Sequence, residues 1–477
     1  MTGIVAVFLL PGGMGTAHGA ELRVGAATVS ITPDRPVALR GHHRTRIARE
    51  VRSPVTATAL ALEAREDGEA VDRAIIVSCD LCVIPRVLTE AVRARAAERI
   101  QGLEVRKAFL CATHTHTAPQ MIEGMYNIPE KGVMQPAEYV DFAAGRISEA
   151  MVRAWESREP GAVGWGLGHA IVAHSRRPVY ADGQARMHGA THIPDFRRLE
   201  GFADHGVHVL FLWDEERDPV AIVVNVACPA QAQTGSKRRI FADYWHHVRE
   251  SLRDKYGDDV SVVGLCGASG EHTPLLQYRE SAERRMREAR GNRLVEEAAR
   301  RIVNAVREAH EVARTDIRSD LEFAHTVREI ELPRRRITED QYKAARAKLE
   351  TLESEDPPPD NLVNHRYRIR ERVLQAYRMQ DQDYRMELHA LRLGDVAICS
   401  NDFELFADFG VQIQARSPAL QTIVVQLAGP GLYVPTRRAV EHGVYSTGVE
   451  ETVLGPEGGQ SLADQTVKTL EALWVER

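Results

Sequence analysis

Short apolar runs of β-like character alternate with longer segments of helical periodicity from about residue 21 onward. Residues 55–63, 74–79 and 105–112 are predicted strands, and residues 88–100 carry apolar positions at helical spacing. Further strands are predicted at residues 207–213, 220–227, 260–266, 391–399 and 422–428, and further helices at residues 137–157, 243–255 and 461–474. This alternation favours an α/β domain with a mixed, largely parallel sheet core flanked by helices.

Two polar segments interrupt this pattern. Residues 281–313 predict one long charged helix, and residues 337–388 form a highly charged stretch broken by the run DPPPD at 356–360. Proline cannot continue a helix, so we expect two polar helices joined by a rigid turn. We interpret residues 337–388 as a helical excursion from a single domain that spans residues 21–477.

The first twenty residues are predicted to be an export signal. An apolar run at residues 4–10 precedes a glycine-rich stretch and the small residues of AHGA at 17–20. A positively charged start is missing, and the alternative is a disordered N-terminus of an internal protein. No later segment approaches the roughly 20 apolar residues that span a bilayer. We therefore expect an exported protein, periplasmic or secreted, without a transmembrane anchor.

The composition argues against a nucleic-acid partner and against a disulfide framework. Apolar residues make up 44% and charged residues 27% of the 477 residues, and the formal net charge is −6. Nucleic-acid binding requires a basic face, so we expect no nucleic-acid partner. Six cysteines are too few for a disulfide framework at this length. Because Cys79 and Cys82 form a single CxxC without a second pair, we interpret them as packing residues.

The most distinctive motif is THTHTAP at residues 113–119, directly after the strand predicted at 105–112. Side chains two apart at a strand end point the same way, so His114 and His116 can reach one metal ion or one substrate atom. Ligands of α/β proteins bind beyond the carboxyl ends of strands. The alternative is a pair of hydrogen-bonded surface histidines.

Other residues that could take part in catalysis also follow the ends of predicted strands. The run CGASGEHTP at 266–274 combines small residues with the hydroxyl groups of Ser269 and Thr273, either of which could be a nucleophile if a base or a metal activates it. Glu404 follows the strand predicted at 391–399, and Tyr433 and Tyr445 lie twelve residues apart. Taken singly, each of these residues is a weak signal.

Together these features resemble the catalytic domain of the neutral/alkaline, non-lysosomal ceramidase family. THTHTAP is similar to that family's THTHSGP, and GEHTP at 270–274 stands where the family has a G-D-x-S-P run with its nucleophilic serine. YVPT at 433–436 resembles Y-V-T-T, with Tyr445 at the same spacing. Ser175-Arg176 resembles an Asn-Arg pair that contacts the reacting group. The resemblance spans nearly the whole chain from Leu22.

This resemblance implies a zinc-dependent hydrolase that cleaves an amide or ester bond with zinc-activated water or a hydroxyl nucleophile. His114, Glu404 and Tyr433 would be zinc ligands, and His116 would lie beside them in the substrate pocket. Tyr445 and Arg176 would stabilise the oxyanion that forms when an acyl carbonyl is attacked. Imidazole, carboxylate and phenolate are all zinc donors, and a catalytic zinc keeps one position open.

Two positions depart from the family. Its second zinc histidine falls in the run NVACP at 225–229, which contains no histidine. The candidates for a replacement ligand are Cys228 as a thiolate, and His246 or His247 on the following helix; the alternatives are that Cys228 is a buried packing residue and that the histidines are a surface pair. Thr273 replaces the nucleophilic serine, and its extra methyl group crowds attack, which favours activated water. Ceramide itself is therefore a doubtful substrate.

Three functions remain open at this stage. The first is the ceramidase-like hydrolase of a lipid or other small acyl compound. The second is a carbohydrate-active hydrolase or lyase on the same scaffold, because tyrosine, histidine and arginine around an acidic sugar support such chemistry. The third is a degenerate, non-catalytic protein that only binds a ligand.

Overall fold

The computed structural model describes residues 19–233, 238–354 and 363–475. The predicted export signal at residues 1–20 lies almost wholly outside these ranges. Within them, none of the helices is both long enough and apolar enough to span a bilayer. The main secondary structure is three mixed β-sheets, and two helices cover the outer face of each.

The first sheet is built around a hairpin in which Thr56–Glu66 pairs antiparallel with Glu69–Cys79. Asp67 and Gly68 join these strands with φ of 49° and 83°, as a tight two-residue hairpin turn requires. The other strands of this sheet are Ala20–Ser30, Ala108–Ala112, Glu159–Pro160 and Asp320–Leu321. Helices Arg86–Ala97 and Pro136–Glu156 pack on the outer face.

The second sheet has the strand order Ser261–Cys266, Pro219–Val226, Gly206–Trp213 and Ala162–His169. Helices Tyr244–Tyr256 and Leu294–Ala313 cover it. The edge strand is rich in glycine because the second helix lies directly against it. A Cβ on Gly168 would lie only 2.2 Å from the carbonyl oxygen of Ala305.

The third sheet has the strand order Phe323–Leu332, Tyr384–Leu393, Val396–Ser400 and Gln421–Val425. Helices Ala407–Arg416 and Pro456–Trp474 pack on its outer face. A separate pair of helices, Glu339–Ser354 and Val363–Met379, lies between its first two strands along the chain.

Shorter elements complete the described ranges. The short strands are Val37–Ala38, Ile47–Ala48, Glu50–Val51, His174–Ser175, Pro178–Tyr180, Phe196–Leu199, Arg239–Ile240, His272–Thr273, Glu404–Leu405 and Tyr433–Val434. The remaining helices are Val105–Lys107, which is a 3-10 turn, Glu280–Ala289 and Arg437–His442.

One apolar core joins the inner faces of all three sheets. Alternate residues of each strand point inward, as the period of two in a strand requires. Ile76, Val223 and Ile398 are examples from the three sheets, and all are fully or almost fully buried in the same cluster. The outward-facing residues pack instead beneath the helices, as Val77 and Val224 do.

The strand ends of the three sheets meet on one side of this core. Each sheet contains one parallel pair, and backbone hydrogen bonds connect the residues at the ends of these pairs. The Gln426 amide donates to the Cys266 carbonyl at 3.0 Å, and the Ala112 amide donates to the Leu427 carbonyl at 3.1 Å. Loops from all three sheets therefore come together at one place.

The predicted α/β class with a charged helical insertion is confirmed, and its sheets are mixed rather than strictly parallel. Tight hairpins such as the one at Asp67-Gly68 supply the antiparallel pairs. The single long helix predicted at residues 281–313 is two helices, because the chain turns at Gly291 with φ of 72°. The insertion is helical as expected, but the following strand already begins at Tyr384.

Candidate functional site

The THTHTAP run forms a sharp turn at the end of the strand Ala108–Ala112. His114 has a φ of +66°, so the chain leaves extended geometry there. The rings of His114 and His116 do come together, with centroids 5.1 Å apart at an interplanar angle of 77°. The sequence prediction that the two rings lie close together holds, but its reason was wrong. The strand does not continue through the two histidines; the left-handed conformation of His114 turns the chain.

The threonines of the run anchor the loop. The hydroxyl groups of Thr115 and Thr117 both donate to the Phe241 carbonyl, at 3.0 and 2.7 Å. Both threonines are buried. A buried carbonyl that accepts two hydrogen bonds is well satisfied, and this fixes the loop that carries the two histidines.

His114 is held with one ring nitrogen bound and the other facing a carboxylate. Its Nδ1 lies 2.6 Å from the Cys82 carbonyl oxygen, and its Nε2 lies 3.1 Å from Glu404 Oε2. Burial disfavours a charge on this ring, but the carboxylate of Glu404 and the thiol of Cys82 raise its pKa well above the usual value. The contact to a backbone carbonyl assigns the Nδ1 proton and leaves Nε2 to pair with Glu404.

His116 is a neutral neighbour in the same cavity. Burial lowers its pKa well below the usual value, and the positive charges of nearby groups such as His114 lower it further. Its Nε2 accepts a hydrogen bond from the Gln231 side-chain amide at 2.9 Å. The predicted position beside His114 is therefore observed, and Gln231 is an additional contact that the sequence did not indicate.

Glu404, the two tyrosines and Arg176 form a second layer around His114. The strands Glu404–Leu405 and Tyr433–Val434 pair in parallel, which places Glu404 opposite Tyr433. The rings of Tyr433 and Tyr445 lie 5.6 Å apart, and the guanidinium carbon of Arg176 lies 5.3 and 5.9 Å from their centroids. Burial raises the pKa of the Tyr433 phenol well above its usual value.

The glycine-rich loop after Cys266 positions two of these residues. A Cβ on Gly270 would lie 2.3 Å from the Glu404 carbonyl oxygen, so glycine allows the two backbones to touch. The Gly270 carbonyl accepts a hydrogen bond from Arg176 at 2.8 Å. The Ser269 hydroxyl supports the loop itself, because it donates a hydrogen bond to the Gly267 carbonyl at 2.9 Å.

Thr273 lies outside the cavity that contains His114. The strand His272–Thr273 pairs with His174–Ser175, and this pairing buries Thr273. Its hydroxyl oxygen accepts a hydrogen bond from the Leu275 amide at 3.2 Å. Within the described ranges no basic side chain is hydrogen-bonded to this hydroxyl, which a nucleophile would need for activation.

The two mid-chain ligand candidates are also placed elsewhere. The Cys228 thiol lies in the core beneath the second sheet, 3.6 Å from the Val172 carbonyl, and burial raises its pKa well above the usual value. His246 is on the helix Tyr244–Tyr256, where its ring lies 5.0 Å from that of His247. Neither residue lines the cavity around His114, so the described residues do not bring the predicted mid-chain ligand to the site.

Cys82, for which the CxxC spacing predicted only a packing role, also lies at the site. Donor atoms of Cys82, His114 and His116 all lie within 4.8 Å of one another, a spacing that could hold a metal ion. The Cys82 thiol is 3.9 Å from His114 Nδ1. The pairing of Glu69–Cys79 with Ala108–Ala112 in parallel explains this contact, since parallel strands end at the same sheet edge.

These residues surround a cavity of about 450 Å³. Its polar lining includes four histidines, three glutamates, three tyrosines and three arginines. Its apolar lining includes Val83, Met125, Ile369, Pro430 and Leu432. Among the described residues, the buried Nε2 atom of His42, which lines this cavity, is one of those without a hydrogen-bond partner. Unsatisfied buried polar atoms are costly, so they indicate a place where a ligand or ordered water binds.

Gly41 allows the cavity wall to contact His116. We expect Gly41→Ala to lower the free energy of unfolding by about 2 kcal/mol or more, because its φ of +101° strains any other residue. The new Cβ would also lie 2.3 Å from His116 Cγ. Urea denaturation measures this loss. Gly183→Ala is the matched control, since its φ is +77° and nothing lies within 4 Å of the new Cβ. Equal losses in the two variants would contradict the proposed contact.

Fold and site together define a mixed α/β protein with a buried histidine–carboxylate–tyrosine centre at its strand ends. The sequence matches no known family model, and no curated protein matches it either. Solved structures match across 96% of this chain: neutral ceramidase from Pseudomonas aeruginosa at 17% identity and a TM-score of 0.67, and a ceramidase complexed with C2 at 17% and 0.64. Each match covers 76% of the other chain. The chain therefore has the fold of neutral ceramidase, which confirms the predicted resemblance at the level of fold.

Proposed function

We propose that the protein is a zinc-dependent hydrolase that cleaves an amide or ester bond in the cavity around His114. The observation that carries the proposal is the contact between His114 Nε2 and Glu404 Oε2 at 3.1 Å, with Tyr433 paired opposite Glu404. A ceramidase is an amide hydrolase, and the shared fold supports the same class of reaction. The shared fold alone does not identify the substrate.

The donor set fits zinc. We assign His114 Nε2, Glu404 and Tyr433 as the ligands, because His114 Nδ1 already faces the Cys82 carbonyl at 2.6 Å. A metal-binding histidine commonly donates its other ring N–H to such a carbonyl, which orients the imidazole. The Cys82 thiol lies 3.9 Å from Nδ1, the nitrogen that already faces a carbonyl, so we place this thiol outside the ligand set. Three protein ligands leave one coordination position open, as in other catalytic zinc sites.

Zinc in this position would act as a Lewis acid toward the acyl carbonyl and would lower the pKa of water. The protein's own contribution is to bind and orient the acyl group. Arg176 and the Tyr445 hydroxyl can donate hydrogen bonds to the carbonyl oxygen as its negative charge grows. The unpartnered Nε–H of Arg176 supports this role. Such preorganised donors contribute strongly because they need no rearrangement during the reaction.

Water is the attacking group in this proposal. Thr273 is buried in a strand pair outside the cavity, and its hydroxyl contacts a backbone amide. The Nε2 atom of His116 accepts a hydrogen bond from Gln231, so the role we propose for His116 is to contact the substrate and not to bind the metal. Cys228 and His246 also lie outside the cavity, so we propose structural roles for both.

Removal and return of the metal test the proposed function. We expect dipicolinate treatment to abolish hydrolysis of N-acyl amides and aryl esters by the purified protein, and stoichiometric zinc to restore it. Glu404→Ala should fail to regain activity at that zinc concentration, whereas Cys82→Ala should regain it. Hydrolysis that survives complete metal removal would overturn the proposal. Zinc binding lost in Cys82→Ala but kept in Glu404→Ala would overturn the ligand assignment.

A further inference from the structure

The mouth of the cavity carries two arginines from distant parts of the chain. Arg40 lies in the loop that also provides Gly41 and His42, and Arg372 lies on the insertion helix Val363–Met379. Both side chains are half-buried and line the cavity. The insertion that the sequence marked only as a charged excursion therefore forms part of the site.

Neither guanidinium has an ion-pair partner in the described part of the chain. Arg40 makes no side-chain hydrogen bond or ion pair among those residues, and Arg372 donates only to the Glu450 backbone carbonyl, at 3.0 Å. The Glu450 carboxylate is engaged elsewhere, with Arg370 at 2.8 Å. Arg370, which is half-buried on the same helix, is by contrast paired with a carboxylate.

The two guanidinium groups are close enough to affect one another. Burial lowers the pKa of Arg372, and the positive charge of Arg40 lowers it further. Glu451 lines the same cavity and acts on Arg372 as an opposing charge, but burial and the neighbouring Glu450 raise the pKa of Glu451 to about 7. Two like charges in a half-buried cavity repel each other, so an anion that contacts both guanidinium groups would relieve this repulsion.

The apolar wall lies in the same cavity and indicates the rest of the ligand. Met125, Ile369 and Leu432 line it beside the arginines and can contact an acyl chain. Tyr445 lines the same cavity as both arginines, and its charge acts on Arg372. A negative group held by the arginines would therefore lie in the same cavity as the proposed oxyanion donor.

We propose that the substrates carry a carboxylate, bound by Arg40 and Arg372, and that they are N-acyl amino acids. This inference rests on the proposed hydrolase function. In the reaction the oxygen of water bonds to the acyl carbon, and the amide C–N bond breaks. One proton from the water passes to the amine nitrogen, so that a fatty acid and an amino acid leave. The α-carboxylate lies two bonds from that nitrogen, which matches the adjacent arginine pair and Tyr445.

A matched pair of substrates tests the charge preference. We compare N-dodecanoylglycine with N-dodecanoylglycinamide, which differ only in the carboxylate. The zinc-loaded protein should cleave the first with a kcat/KM at least about 10-fold higher, since hydrogen bonds to charged groups are the stronger ones. Arg40→Gln and Arg372→Gln should each raise KM for the anionic substrate about 10- to 100-fold and leave the neutral substrate nearly unaffected. Arg40→Lys should recover part of the loss.

The control is Arg346→Gln, because Arg346 is exposed on the other insertion helix and pairs with Glu350 at 3.0 Å. It should change neither substrate's kinetics. Thermal melting of every variant identifies any that fail to fold. If Arg40→Gln does not fold, the kinetics of Arg40→Lys test the proposal instead.

Calorimetric binding to metal-stripped protein separates this inference from the proposed function. Tight binding of N-dodecanoylglycine without any hydrolysis by the zinc form would overturn the function and support the anion site. Equal cleavage of both substrates, with no effect of either arginine, would overturn the anion site alone. Binding of uronate oligosaccharides in preference to N-dodecanoylglycine would overturn the assignment to N-acyl amino acids.

Discussion

His114→Ala is expected to remove the bound metal and to lower kcat/KM for an N-acyl substrate by more than about 100-fold. Loss of a residue that only contacts a metal ligand lowers metal affinity or activity by about 10- to 100-fold. We expect a larger loss for His114, because we propose that it binds the metal directly. Its Nε2 faces Glu404 at 3.1 Å, so the variant leaves a buried carboxylate without its partner. Metal analysis and steady-state kinetics on the same preparation measure both effects.

The control for this variant is His192→Ala, because His192 is exposed and lies outside the cavity. It should retain both metal and activity. If His114→Ala lost activity but kept stoichiometric metal, the ligand assignment would be wrong. A loss of the cooperative unfolding transition would instead show that the buried histidine mainly supports the fold, and circular dichroism would detect it.

Tyr445→Phe is the second variant with a large expected effect. We expect kcat to fall about 100- to 1000-fold, as for loss of one oxyanion donor, with the metal retained. The loop should stay in place, because Arg177 donates to the Tyr445 backbone carbonyl at 2.8 Å and that contact does not involve the phenol. Arg177 is itself fully buried and paired with Glu200 at 2.8 Å, which makes it a firm anchor.

Single-turnover kinetics separate this effect from substrate binding. A fall in kcat with an unchanged KM indicates an interaction made only in the transition state. Tyr342→Phe, on the insertion helix Glu339–Ser354, is the matched loss of a hydroxyl outside the cavity and should be neutral. A change in KM alone would show that Tyr445 only binds the ground state.

The sequence predicted much of the fold because strands and helices leave different periodicities. The inner and outer faces of Glu69–Cys79 follow directly from its alternation, as Ile76 and Val77 illustrate. The antiparallel share of the sheets was harder to predict. Antiparallel pairing depends on tight turns such as Asp67-Gly68. An Asp-Gly pair predicts such a turn only when the strands on both sides of it have been recognised.

The site was predictable where a motif fixed several residues together. His114, Glu404, Tyr433, Tyr445 and Arg176 are brought together as the resemblance implied. Cys82 and Gln231 were missed because their proximity depends on which strands pair. Thr273, Cys228 and His246 lie outside the cavity around His114, because position in sequence does not determine which face of a strand or helix a side chain occupies.

The arginine pair illustrates the limit of local patterns most clearly. Arg40 and Arg372 are more than three hundred residues apart, and nothing near either one marks it as part of a site. Arg372 was assigned to a polar helical excursion, for which solvent exposure is the ordinary expectation. Only the packing of the helix Val363–Met379 over the cavity gives it a functional position.

The most direct test of the central claim is the metal content of the protein purified without chelator or added metal. Inductively coupled plasma mass spectrometry measures it against protein concentration from amino-acid analysis. We expect stoichiometric zinc in the wild-type chain, loss of that zinc in Glu404→Ala, and hydrolytic activity proportional to zinc across partially stripped samples. A chain that contains no zinc, takes up none when it is offered, and still hydrolyses N-acyl substrates would show that the hydrolase is not zinc-dependent.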